Sequence, residues 1–233
     1  MSKIIEVKGL EKSYGRKQVL RGIDLNFEEG QIIGLLGPNG CGKTSLIKIL
    51  TGLIHDYNGT VLIDGKEPGV YTKSITAYLP ERTYLPEWMK AKDAISYFND
   101  FFKDFDKVKA TEMLNRFRLD PNQKIKTMSK GMQEKLQLLI VMSRASKLYC
   151  LDEPLGGVDP ATRSAILDVI MNNYAEKSTV LISTHLINDV ERIFNSVLMI
   201  GEGKVKLDSS IDEIRESGRS VEEIFKEVFS FGW

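Results

Sequence analysis

The chain opens in a two-residue rhythm. Apolar and polar positions alternate through IIEVKGL at 4–10 and IDLNFEEGQIIGLLG at 23–37, which predicts strands, with Glu28, Glu29 and Gly30 marking a turn inside the second run. From Lys43 the period lengthens to that of a helix over TSLIKILTGL. Gly52 stops it before two further predicted strands, NGTVLIDG at 58–65 and SITAYLP at 74–80. Between about Tyr84 and Ala145 the period is helical throughout, with segments near 92–103, 107–118 and 129–145. Strand and helix then alternate again: KLYCLDE, a helix from DPATRSAILDVI, STVLIST, a short helix at 186–193, and SVLMIGEGKVKLD. Two short helical patterns follow from 209, and the chain ends FSFGW. Continuous apolar strands separated by helices predict an α/β protein with a mostly parallel, buried sheet. The stretch at about 84–145 reads as an inserted α-helical lobe, and about 209–233 as a short helical tail.

Composition narrows the field. A chain of 233 residues has the length of one domain, 1–233, with a lobe attached. Lys and Arg together number 32, as do Asp and Glu, and no long single-sign run offers nucleic acid an electrostatic surface, so no direct nucleic-acid partner is expected. The two cysteines, Cys41 and Cys150, form neither a metal-ligand spacing nor a disulfide framework, which suits a reducing cytoplasm. The longest apolar run, LLIVM at 138–142, falls far short of the roughly 20 residues of a membrane span. The N-terminal MSKIIEVKGLEKS lacks the apolar core of a signal peptide.

Chemistry concentrates in GPNGCGKTS. Gly37, Pro38, Asn39, Gly40, Cys41, Gly42, Lys43 and Thr44 fit G-x-x-x-x-G-K-[ST], followed by Ser45, and the motif lies between an apolar strand and a helix, as its mechanism requires. Glycines let backbone N–H groups turn in around phosphates, Lys43 reaches the β and γ oxygens, and the Thr44 hydroxyl is a ligand for Mg2+. A nucleotide site also needs a carboxylate for the metal and a group to orient water. In KLYCLDEP, Asp152 ends a strand at the expected carboxyl edge of the sheet, and Glu153 beside it is the candidate general base. A second anion-binding helix start appears in TMSKGMQEK, where Ser129 and Gly131 precede an amphipathic pattern.

Taken in order, the phosphate loop at 37–44, TMSKGMQEK, LYCLDEP and STHL at 183–186 resemble the ATP-binding subunit of an ABC transporter over nearly the whole chain, of the exporter-like branch that works with a separate membrane subunit. The resemblance implies a P-loop NTPase of the ABC ATPase type, with an antiparallel N-terminal β subdomain beside the parallel core. By the same resemblance Tyr14 stacks on adenine, Glu81 stands where the family has a metal-contacting glutamine, and His185 contacts the γ-phosphate. Ser129 and Gly131 cap the ATP of an opposing subunit, and Asp159 lies in the loop that crosses the dimer interface, though it also suits a helix N-cap. The implied cofactors are ATP and Mg2+. The implied partners are a second ATPase subunit, identical or closely homologous, and a multispan membrane protein that keeps the chain at the inner face of the cell membrane. A soluble ABC-fold ATPase serving translation or DNA maintenance is the alternative within the fold, and a non-hydrolytic nucleotide switch the alternative outside it.

Four further expectations concern single features. Phe98, Phe101, Phe102 and Phe105 fall on one helical face and read first as lobe core. Tyr84, Leu85, Trp88 and Met89 are candidates for the groove that receives the membrane partner. Cys41, near a helix N-terminus, should have a lowered thiol pKa. Lys130, inside the signature, should offset Glu81 electrostatically.

Overall fold

The computed structural model describes residues 2–174 and 177–230. The N-terminal alternation yields two long strands, β1 (Lys3–Tyr14) and β2 (Lys17–Glu28), paired antiparallel with Val7 opposite Leu25. After β3 (Ile32–Leu36) and α1 (Lys43–Leu50), β4 (Asn58–Ile63) pairs antiparallel with the other edge of β1, which gives a three-stranded sheet ordered β2-β1-β4. β2 starts well before the strand expected from Ile23. The β1–β2 ladder shifts register around Gly9 and Gly22, both at positive φ, and such bulges break the alternation by which a strand is read.

A short helix absent from the sequence reading, α2 (Val70–Ser74), takes up the first residue of the strand expected at 74–80, so that β5 runs only Thr76–Leu79. The lobe then follows as expected: α3 (Ala91–Phe101), α4 (Lys107–Arg116), a 3-10 turn at Ile125–Thr127 and α5 (Lys130–Met142). α3 ends at Phe101, and Phe102 is extended, so the four phenylalanines do not form one stripe. Phe98 stacks on Phe102 and packs near Phe105 in the core, whereas Phe101 is 67% exposed against Tyr97. The proposed groove residues divide in the same way. Leu85 and Met89 are buried in the core, which corrects their assignment, while Tyr84 and Trp88 are exposed.

The remaining elements are β6 (Leu148–Asp152), α6 (Pro160–Asn173), β7 (Thr179–Thr184), α7 (Ile187–Val190) with a 3-10 turn at Glu191–Ile193, β8 (Ser196–Gly201), β9 (Lys204–Ser210), α8 (Ile211–Glu216) and α9 (Val221–Phe229). They match the expected alternation, and Ser210 and Ser220 start α8 and α9 with capping boxes. The last three residues of FSFGW lie outside the described residues. The second sheet is ordered β5-β6-β7-β3-β8-β9, parallel except for β9.

Every residue of β3, β6 and β7 is buried, and the pleat divides them between two cores. Ile33, Leu35, Cys150, Leu181 and Leu198 face α1 and the antiparallel sheet. Ile32, Leu36, Leu151, Ile182 and Met199 face the lobe and α6. Arg144, at the base of the lobe, locks it to the sheet. Its guanidinium pairs with both Asp104 carboxylate oxygens, donates to the carbonyls of Thr76 (2.7 Å) and Ser74 (2.8 Å), and lies 4.1 Å over the Phe102 ring.

Candidate nucleotide site

In a parallel sheet the carboxyl ends of the strands share one edge, so the residues that follow β3, β5, β6 and β7 converge there. Those residues are the phosphate loop at 37–42, Glu81, Glu153 and His185. The phosphate loop is pressed between β8 and β2. A Cβ on Gly37 would stand 2.2 Å from the Ile200 carbonyl oxygen, and one on Gly42, at φ 115°, would stand 2.6 Å from Leu20. Gly42 occupies the N-cap of α1 without a side-chain cap, so the first N–H groups of that helix face the loop's interior.

Lys43 is buried and folds over its own loop, donating to the carbonyls of Gly37 (2.7 Å) and Pro38 (3.4 Å), with Glu153 Oε1 3.9 Å away. Asp152, 1% exposed, accepts at Oδ1 from the hydroxyls of Ser183 (2.6 Å) and Thr44 (3.2 Å). Its other oxygen, Oδ2, is buried without a hydrogen-bond partner among the described residues. A buried carboxylate oxygen left bare next to a threonine hydroxyl fits a divalent cation, and oxygen donors of this kind are those Mg2+ prefers.

Glu153 follows at φ 51°, a left-handed conformation that costs a non-glycine residue on the order of 1 kcal/mol and recurs at functional sites. Its N–H donates to Ser183 Oγ (3.0 Å), and its Oε2 lies 2.9 Å from His185 Nδ1. Burial raises the Glu153 pKa above the ordinary carboxylate range, against the opposing pull of His185 and Lys43. Ser183 holds both acidic residues and was missed by the sequence reading. Its place near the end of STVLIST, opening the STHL motif on the same strand edge, was a signal for it.

Lys43, Thr44, Glu153 and His185 line a cleft of about 1030 Å³ together with Tyr14, Asn39, Gly40, Ser45 and Glu81, with Asp152 buried behind Thr44. Tyr14 is half-exposed, its hydroxyl 3.3 Å from Ser45 Oγ and the Lys12 ammonium 4.8 Å from its ring centre. Glu81 makes no hydrogen bond or ion pair with Asp152 or Thr44 among the described residues. α5 forms the far wall, but through Lys130, Gln133, Glu134 and Gln137. Ser129 caps α5, accepting from Met132 N–H at 3.3 Å, and Gly131 packs near Thr162 and Val158. Neither lines the chain's own cleft. Lys130 pairs with Glu134 at 3.8 Å rather than with Glu81.

Asp159 is the N-cap of α6, taking the N–H and hydroxyl of Thr162, and these bonds lower its pKa. Cys41 contradicts the expectation set for it. It is 7% exposed, and burial pushes its thiol pKa up despite the nearby Lys43 ammonium.

A phosphate loop, a metal-suited aspartate and an ordered acid–imidazole pair at the edge of a parallel sheet, with a helical lobe inserted, define a P-loop ATPase. The sequence pattern of the ABC transporter family matches residues 20–156. The chain is 31% identical to the ABC transporter ATP-binding protein YtrB of Bacillus subtilis, over 91% of this chain and 74% of that protein. It is 28% identical to the lantibiotic transport ATP-binding protein SrtF of Streptococcus pyogenes, over 98% of both. A solved ATP-binding subunit of an ABC transporter superposes with a TM-score of 0.87 at 27% identity, covering 97% of this chain and 99% of that one. The chain belongs to the ABC transporter family as an ATP-binding subunit, and the ATP-binding domains of that family are ATPases. Among the described residues no helix is long and apolar enough to cross a membrane.

Proposed function

We propose that residues 1–233 form a single ATPase unit that pairs head to tail with a second subunit around two ATP molecules and drives a separate membrane-spanning subunit. The observation that carries this reading is the bare Oδ2 of Asp152 beside Thr44, set against Lys43, Glu153 and His185. Bound Mg2+ would supply positive charge that offsets the charge on the polyphosphate. Asp152 and Thr44 would hold it, and Glu81 reaches into the same cleft from the loop after β5.

The phosphate loop and Lys43 bind and neutralise the polyphosphate, and Tyr14 offers a ring face to the base. Glu153 takes the proton of the attacking water, the water oxygen bonds to the γ-phosphorus, and the bond to the β–γ bridging oxygen breaks to release ADP and phosphate. His185 holds the carboxylate and faces the γ-phosphate. Ser129 and Gly131, away from the chain's own cleft, serve the ATP of the opposing subunit, and that placement supports the dimer. Membrane attachment then comes through the partner, docked near exposed Tyr84 and Trp88.

Glu153→Gln tests the reading. With ATP and magnesium it should lose at least about 99% of turnover and elute as a dimer on size exclusion. Turnover equal to that of the unmodified chain would remove Glu153 as the base.

A further inference from the structure

The loops after β6 and β7 carry Glu153 and His185, and they are held together at two points. The inner point is at the strand ends, where Glu153 N–H meets Ser183 and Glu153 Oε2 meets His185 Nδ1. The outer point is a single guanidinium. From the first turn of α6, Arg163 Nε donates to the Val158 carbonyl at 3.2 Å, and Nη1 donates to Asp189 Oδ2 at 2.8 Å.

The two ends of this tie differ in firmness. Val158 is buried in the core on the lobe side of the sheet. Asp189 lies in α7, a helix of four residues that begins just past His185. So short a helix cannot hold itself, because nucleating a turn fixes more backbone than its hydrogen bonds repay. Ile187 and Val190 anchor its inner face in the core, and side-chain contacts fix its outer face: Arg163 on one flank, and on the other α9, where Val221 N–H donates to Glu191 and Glu222 accepts from Asn188. Arginine suits the task because its planar fork serves a carbonyl and a carboxylate in fixed directions, whereas a lysine presents one point charge.

We propose that Arg163 and Asp189 are positioning residues for ATP hydrolysis, a pair that keeps the His185 segment in register with the Glu153 loop. Neither lines the nucleotide cleft, and both act through the Glu153–His185 contact. The inference rests on the reading of Glu153 as base and His185 as its partner at the γ-phosphate. Small displacements of groups around a reacting centre slow the chemical step steeply. The phosphate cradle on α1 does not depend on α7, so ATP binding should be spared.

Steady-state ATP hydrolysis by the full chain tests the pair. Arg163→Gln and Asp189→Asn should each lower kcat about tenfold with KM for ATP within about twofold. The double variant should be no slower than the worse single one, as members of one unit behave. The exchanged pair R163D/D189R should recover part of the loss. Rates within about twofold of the unmodified chain in both single variants, KM rising in step with the fall in kcat, or strictly additive losses would each overturn the proposal. If Arg163→Gln fails to fold, the half-exposed Asp189→Asn carries the test alone. Glu153→Gln measured alongside separates the two readings. Full turnover there removes the base, whereas loss there with normal rates in Asp189→Asn removes only the tie.

Discussion

Glu134 lies on the α5 wall of the nucleotide cleft with Oε2 buried and, among the described residues, without a hydrogen-bond partner. Burial pushes its pKa from 4.5 up to about 7, and Lys130, 3.8 Å away on an exposed side chain, opposes this only weakly. The folded chain therefore keeps a proton that the unfolded chain gives up near 4.5. Stability falls as pH rises from about 4.5 to about 7, and above that the buried charge exerts its full cost. Glu134→Gln should then stabilise the chain by on the order of 2 kcal/mol at pH 8 and by almost nothing at pH 4. Urea melts at the two pH values check this, and an equal difference at both would discard the idea. Cys41 makes the complementary point, because its local sequence argued for a lowered pKa from the helix start. Burial in the core shared by α1 and the antiparallel sheet, which no local pattern reveals, reverses it.

Whole elements were legible where one period ran uninterrupted. The lobe helices, the buried strands β3, β6 and β7, and the phosphate loop between β3 and α1 all fall where the pattern put them. What escaped depended on interruptions or on distant partners. β2 was cut short at its bulge and α2 is too brief to show a period, while Leu85 and Met89 are buried by residues far along the chain. Ser183 and the Arg163–Asp189 pair escaped for the same reason, since a contact between two strand-end loops leaves no spacing in sequence. Arg144 is the sharpest such case, one side chain joining the lobe to β5 through Asp104 and two carbonyls. Arg144→Ala leaves that carboxylate and both carbonyls without their donor, and should cost about 3 kcal/mol or more. Arg144→Lys should rescue little, because one ammonium cannot replace the fork. Thermal melts that place Arg144→Lys level with the unmodified chain would refute this account.

At the scale of the whole molecule, the aromatic surface of the lobe separates coupling from folding. Trp88 is 69% exposed, so Trp88→Glu should fold and keep basal ATP hydrolysis within about twofold, while transport by the assembled complex falls. Leu85→Glu, three residues earlier in a buried position, should instead collapse the lobe, because an unpaired charge has no place in the core. Loss of basal ATPase in Trp88→Glu would show that this face serves the site rather than a partner. The division of the central sheet into two cores has an experimental consequence. Leu181 and Ile182 are joined by one peptide bond, yet one methyl cluster belongs to the compartment of α1 and the other to that of the lobe. Isotope labels on these two neighbours act as independent reporters, so a single pair of spectra can time the phosphate cradle and the lobe separately through a catalytic cycle.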